Sequence, residues 1–332
     1  MVLDMSTTKN SDVLVYIPCH TDFVEALEQA KRLRTDFENY LSHADAQFKK
    51  LIIVVSVNSF IPENSDTELA NSLCDEVIYF GDVLLADVNI SQGFLTALKR
   101  RPEIFWMLST NDLLTPGAIT RILTEFEADP SLDIIVTNPK PESQRIELKE
   151  ITSINGVISG VIYRTRNLIQ FFNVAPFFPW TGWSQLTVVH AALKFQRSLY
   201  ALFIDQNVVF AQSEKSISAN GNTYAHSFSG DLIQKFLFCK DDVERRSTLR
   251  KFVWTNYFRI HLYSERVRQE HDKSRLITSE HYLSWNSLIS ESLLKSYTPM
   301  NYLVYKIFKK IPFENFVQNK LLRSIKTKLQ SH

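Results

Sequence analysis

The chain has 332 residues, enough for one large or two small domains with a sizeable core. Hydrophobic residues make up 45% and charged residues 22%, which excludes a disordered, collagen-like or coiled-coil chain. Lys and Arg number 37 against 36 Asp and Glu, a net charge of +1 that argues against a protein coating nucleic acid. Glycine is scarce, at 8 residues, and no two form a G-x-G, so neither a dinucleotide fingerprint nor a Walker loop can be built. Cys19, Cys74 and Cys239 stand far apart with no C-x-x-C, which predicts a reduced compartment and no disulfide or metal framework. The opening MVLDMSTTKNSD is polar and mixed in charge, unlike a signal peptide, and no apolar run reaches spanning length, so the expectation is a cytoplasmic chain.

In chain order, Val13–Pro18 predicts a β-branched strand and residues Phe23 to Leu41 a helix. Leu51–Val57 is continuously apolar, as a strand buried on both faces should be. A short helix over Thr67–Leu73, a strand over Glu76–Phe80 and a helix over Ser91–Arg100 follow. The sequon Asn89-Ile90-Ser91 carries no weight in a cytoplasmic protein. Ile104–Leu108 predicts a fourth strand, Pro116–Ala128 a helix with proline in its first turn, and Asp133–Thr137 a fifth strand. Alternating strands and helices imply a doubly wound, mostly parallel sheet with ligands at the carboxyl ends of its strands.

Beyond Pro139 the pattern is mixed: Gly156–Tyr163 reads as a strand, Gly182–Phe195 as a helix and Leu199–Phe210 as further strand. The polar stretch 213–230 reads as a long loop, and 231–332 as a helical C-terminal extension. The expected division is therefore 11–230 and 231–332.

The strongest local signal is FWMLSTNDLLTP over Phe105–Pro116, where an apolar strand gives way to short polar residues before a helix. Asp112 there either binds a divalent cation beside substrate phosphates or, with Thr115, simply caps the helix that follows.

The order IPCHTD, LIIVVSVNS, DVNISQGFLTAL, FWMLSTNDLLTP resembles family 2 glycosyltransferases of the GT-A fold across roughly residues 11–195. The resemblance implies a GT-A-like α/β fold that moves sugar from a nucleotide-sugar donor to a hydroxyl of a surface polysaccharide, O-antigen or capsule, or of a lipid-linked oligosaccharide. Carried over by position, Pro18, His20, Asp22, Ser56 and Asn58 would bind the donor nucleotide, Ser91 would lie beside its diphosphate, and Asn111 and Asp112 would stand at the acidic motif. Asp112 and His226 would hold Mn2+ or Mg2+. Trp180, Trp183 and Arg164 would contact the acceptor, and Gln185 stands at the position of the family's catalytic base.

Several positions depart from that pattern. Ser56 replaces the aspartate of the second turn, and Ser109 and Asn111 replace aspartates of the acidic motif. The helix near Gln185 opens with no carboxylate, and a glutamine orients a hydroxyl without taking its proton. The same departures support the alternative of a catalytically degenerate glycan-binding or assembly subunit. One rival is a nucleotidyltransferase on a similar sheet, but those usually carry a Gly-rich, Lys-containing first loop that is absent here. His190 reads as a packed histidine, and Cys19 has no partner that would make it a nucleophile.

Residues 301–332 carry seven basic groups against Glu314 alone, interleaved with apolar residues. After Pro312, Val317, Leu321, Leu322, Ile325 and Leu329 share one helical face. Such a helix either lies on an anionic membrane surface, placing the enzyme peripherally on the inner face, or packs on the protein or a second copy.

Overall fold

The computed structural model describes residues 12–19, 23–58, 64–80, 86–138, 143–148, 158–177, 184–196, 198–212, 236–239, 241–250 and 291–310. The chain divides into two compact units, residues 1–179 with 184–217 and residues 180–183 with 218–332.

The first unit is an α/β layer structure. Its first half runs β1 (Asp12–Cys19), α1 (Phe23–Leu41), β2 (Lys50–Asn58), α2 (Asn64–Leu73), β3 (Glu76–Phe80), α3 (Ala86–Arg100), β4 (Ile104–Met107), β5 (Asp112–Leu114) and α4 (Ala118–Ala128). Its second half runs β6 (Ile134–Asn138), β7 (Gln144–Leu148), β8 (Val161–Arg164), α5 (Thr165–Leu168), α6 (Ser184–Gln196), β9 (Leu199–Asp205) and β10 (Phe210–Gln212). Short 3-10 segments at Ile158–Gly160, Ile169–Phe177 and Gln206–Val208 link the later elements.

Eight strands form one sheet in the order β3-β2-β1-β4-β8-β6-β9-β7. The first four are parallel; β8 lies antiparallel between β4 and β6, β9 is parallel to β6, and β7 closes the edge antiparallel to β9. The expected mostly parallel sheet is present, with one antiparallel strand set into its middle. That insertion decides the site: because β8 runs against β4, its first residues lie beside the last residues of β4.

Each face of the sheet has its own core. On one face Val13, Val15 and Ile17 of β1 join Ile53, Val55 and Val57 of β2 under α1 and α4. Helix α1 buries Phe23, Ala26, Leu27, Ala30, Leu33, Phe37 and Tyr40, spaced three and four apart as a helix on a sheet requires. On the other face Phe94, Phe105, Tyr163 and Phe172 form an aromatic cluster in which all six centroid separations fall between 5.2 and 6.0 Å. Helix α3 packs directly over β1, and a Cβ at Gly93 would stand 2.8 Å from the Tyr16 ring, so that position admits only glycine.

Two local expectations are corrected. Helix α4 begins at Ala118 rather than Pro116, after Gly117 turns the chain in a left-handed conformation with φ of 80°. Helix α3 begins at Ala86 rather than Ser91, which places Asn89 inside it. The sequon is therefore a buried helical segment, with Asn89 only 2% exposed, and is no glycosylation site.

In the second unit, residues 242–250, 291–297 and Pro299–Lys310 are helical. Phe236, Leu249 and Leu294 form a small core bordered by Leu293, Tyr297 and Tyr302. Lys306 pairs with Glu291 at 3.0 Å, so this member of the basic C-terminal set is engaged by the protein itself. Residues 311–332 lie outside the described residues. No helix among the described residues is long and apolar enough to cross a membrane.

Candidate active site

Strands β1, β2 and β4 end at the same edge of the sheet. Beyond β4, Leu108 still donates its N–H to Tyr16 O at 2.9 Å, and then the chain leaves the sheet. The departure is tight: Asp112 N–H bonds back to Ser109 O at 3.2 Å and Asn111 N–H to Ser109 Oγ at 3.3 Å. Asp112 opens β5, which pairs antiparallel with β10 and places Asp112 opposite Gln212 in register.

The antiparallel insertion of β8 brings Ser159 to this turn. Its hydroxyl donates to Asp112 Oδ2 at 2.6 Å and accepts from Ser109 N–H at 2.8 Å. The Trp106 indole donates to Ser159 O at 2.9 Å, which locks the serine backbone. Asp112 is 2% exposed, and its Oδ1 is buried with no hydrogen-bond partner among the described residues. Burial pushes its carboxyl up to about 6, opposed by the Ser159 hydrogen bond. An anionic oxygen held out of water without a donor is unfavourable unless a cation or donor reaches it. Active-site carboxylates are among the groups held in that way.

A second polar cluster lies beneath α3. Asn89 Oδ1 accepts from Tyr16 OH at 3.0 Å and from the Ser56 hydroxyl. All three groups are buried, and burial holds the Tyr16 hydroxyl far above its ordinary range, so it stays a donor. The Ser56 hydroxyl, expected beside the donor nucleotide, is engaged by Asn89. Ser91, expected beside the donor diphosphate, gives its hydroxyl to Ala175 O at 3.4 Å in the neighbouring 3-10 segment.

Pro18, near the end of β1, pairs in register with Ser56, and Asn58 is the last residue of β2, both at the expected edge. Asn111 adjoins Asp112, half-buried. Gln185 is buried near the start of α6, where its backbone carbonyl accepts from Tyr163 OH at 2.8 Å. His190 is buried in the same helix, as a packed histidine should be.

Arg164, expected to contact the acceptor, is engaged within the protein. It ends β8 and pairs in register with Ile104, the first residue of β4, so it stands at the opposite end of the strand from Ser159 and Asp112. Its guanidinium, 5% exposed, donates to Phe126 O and Pro130 O, lies 3.6 Å from Glu103 and covers the Phe126 ring. It fastens α4 to the sheet. His20, Asp22, Trp180, Trp183 and His226 lie outside the described residues. Among the described residues, no group of three or more His, Cys, Asp or Glu stands together as a metal cage.

Sequence reasoning missed Ser159, Asn89 and Gln29. Gln29, on α1, bonds both Asp112 O and Leu114 N–H. Its only sequence signal is a polar residue at a position where the apolar helical spacing continues on both sides.

No protein-family model matches the chain, and no curated sequence matches it. Among solved structures it is similar to residues 1–349 of S. aureus TarS in complex with UDP-GlcNAc, with a TM-score of 0.52 and 10% identity over 87% of this chain and 82% of that one. A mannosyltransferase from Pyrobaculum calidifontis, solved with GDP-Man and Mn2+, aligns with a TM-score of 0.46 and 11% identity over 90% and 86%. At such identity the TarS likeness defines the fold alone. The protein has a GT-A-like α/β fold.

Proposed function

We propose that the protein is a glycosyltransferase that moves a sugar from a nucleotide-sugar donor to an acceptor hydroxyl. The observation that carries this reading is Asp112: a buried carboxylate at the strand-end edge of a GT-A-like sheet, held by Ser159 through one oxygen while the other has no partner among the described residues. Ligand binding at the carboxyl ends of strands is the general rule for open α/β sheets. The TarS complex with UDP-GlcNAc adds that a chain of this fold binds such a donor.

The residues fit a divalent cation held by one protein carboxylate, since Mg2+ and Mn2+ accept few protein oxygens and complete their shell with phosphates and water. Asp112 Oδ1 would be that ligand. A cation there supplies charge neutralisation for the departing nucleoside diphosphate. The chain's own part is orientation. Ser159 fixes the carboxylate, and its bond to Ser109 N–H fixes the turn that carries it. Pro18, Asn58 and Asn111 border the donor side of this edge. The acceptor is a hydroxyl of a surface polysaccharide or lipid-linked glycan, and the basic, apolar-interleaved sequence of residues 301–332 suits an anionic membrane surface.

The test is a thermal-shift panel of nucleotide sugars with and without Mn2+, on the wild type and on Asp112→Ala. The reading expects a Mn2+-dependent shift with at least one donor, abolished in the variant, and release of the matching nucleoside diphosphate when acceptor glycan is added. No shift with any donor overturns it in favour of a glycan-binding or assembly subunit.

A further inference from the structure

Strand β5 has three residues and, among the described residues, a neighbouring strand on one edge only, where Leu113 faces Ala211 of β10 in register. Its other edge faces α1. There Gln29 spans the gap with one side chain: Nε2 donates to Asp112 O while Oε1 accepts from Leu114 N–H at 3.3 Å. Arg32 Nη1 donates to Leu114 O at 3.1 Å. One turn further, Asp36 accepts from Gly117 N–H at 2.8 Å and Ile119 N–H at 3.0 Å, capping α4 where Gly117 has no side chain to do so. Positions 29, 32 and 36 follow the three-and-four spacing of a single helical face. The face thus meets, in order, the backbone groups of 112, 114, 117 and 119. Gln29 is 1% exposed, a fully buried amide within an apolar helix face. Both its polar ends are used on the one strand that carries the candidate carboxylate.

We propose that Gln29 is a positioning residue for Asp112: its amide stands in for a missing β-strand neighbour and fixes the backbone from which the carboxylate projects. The proposal rests on Asp112 being the group that meets the donor diphosphate. Asp112 is then held three ways, its side chain by Ser159, its N–H by Ser109 O and its C=O by Gln29. Of these, only the Gln29 bond ties it to a long element of the core. A site that must meet a diphosphate and cation within a fraction of an ångström depends on such support. The competing explanation is that Gln29 only satisfies buried backbone groups, in which case its loss lowers stability and nothing more.

The experiment uses the full chain with Gln29→Met, which keeps length and loses the amide, against Leu33→Ala, a cavity in the same helix that leaves the 112–119 contacts intact. Two quantities are read: amide exchange at Leu114 by NMR, and affinity for UDP-GlcNAc and GDP-mannose with Mn2+. The expected result is Leu114 exchange faster by about tenfold in Gln29→Met, the scale of one lost hydrogen bond, with donor affinity weaker by a similar factor. Leu33→Ala should lower the unfolding midpoint and leave both quantities within about twofold of wild type. Equal effects of the two variants, or an unchanged Leu114 amide in Gln29→Met, overturn the proposal. Should Gln29→Met not fold, Gln29→Glu retains the acceptor for Leu114 N–H, and unchanged protection of that amide is the result expected. If Asp112→Ala abolishes donor binding while Gln29→Met leaves it intact, the positioning role fails and the functional reading stands. If the wild type binds no donor of the nucleotide-sugar panel yet Gln29→Met alone frees the Leu114 amide, Gln29 fixes the strand and the functional reading fails.

Discussion

Replacing Asp112 with asparagine keeps the shape of the side chain and removes its charge, so it isolates what burying that charge does to folding. In the folded chain, burial raises the carboxyl from 3.8 to about 6. A carboxyl raised by folding favours the protonated folded state, so its contribution is fully present below the unfolded value and is lost as pH rises through the folded one. A shift of about two units at about 1.4 kcal/mol each makes the total loss about 3 kcal/mol. Integrated between pH 5 and pH 8, wild type should lose about 1.4 kcal/mol that Asp112→Asn does not. Urea unfolding of both proteins at those two pH values measures this, because every other titrating group is shared and cancels in the difference. The variant should also lose Mn2+-dependent donor binding, so one substitution relieves the pH penalty and removes function. Parallel stability curves for the two proteins would refute the reasoning, since they would mean that Asp112 is solvated in the folded chain.

Ser159→Ala removes the one hydrogen bond that opposes the raised carboxyl and strands Ser109 N–H, so the Asp112 titration should move upward and stability fall by about 1–3 kcal/mol, read by the same urea series. Gly93→Ala sets a methyl 2.8 Å from the Tyr16 ring, which cannot swing aside because its hydroxyl is held by Asn89; a stability loss of about 1–3 kcal/mol, read by urea unfolding, is expected. Arg164→Met should cost about 3 kcal/mol by unpairing Glu103 and freeing the Phe126 and Pro130 carbonyls, while the folded protein keeps wild-type acceptor KM. A raised KM with unchanged stability would return Arg164 to the acceptor site.

The first half of the sheet was legible because each of its strands is a continuous apolar run bounded by polar turns, and buried parallel strands have that composition. Val13–Pro18 and Leu51–Val57 need no tertiary information to be recognised. The position of β8 was hidden for the opposite reason: a four-residue strand reads as apolar whichever neighbours it takes, and its direction depends on the path of the preceding chain. Without that direction, Arg164 and Ser159 are simply residues near one strand. With it, they stand at opposite ends, one fastening α4 and the other holding Asp112.

The site residues divide along the same line. Asp112 was readable because a carboxylate just beyond an apolar strand has few purely structural explanations, and helix capping was the strongest of them. The structure removes that explanation: the cap of α4 is Asp36, reaching from α1 to Gly117 and Ile119. Sequence separation concealed this, since Asp36 and Gly117 are 81 positions apart. Relieved of capping, Asp112 keeps one oxygen on Ser159 and one with no donor among the described residues. A helix start already capped elsewhere leaves its preceding carboxylate available for another task. On the proposed reading, the group suited to that remaining oxygen is a cation shared with a diphosphate, because a neutral partner would leave the buried charge uncompensated.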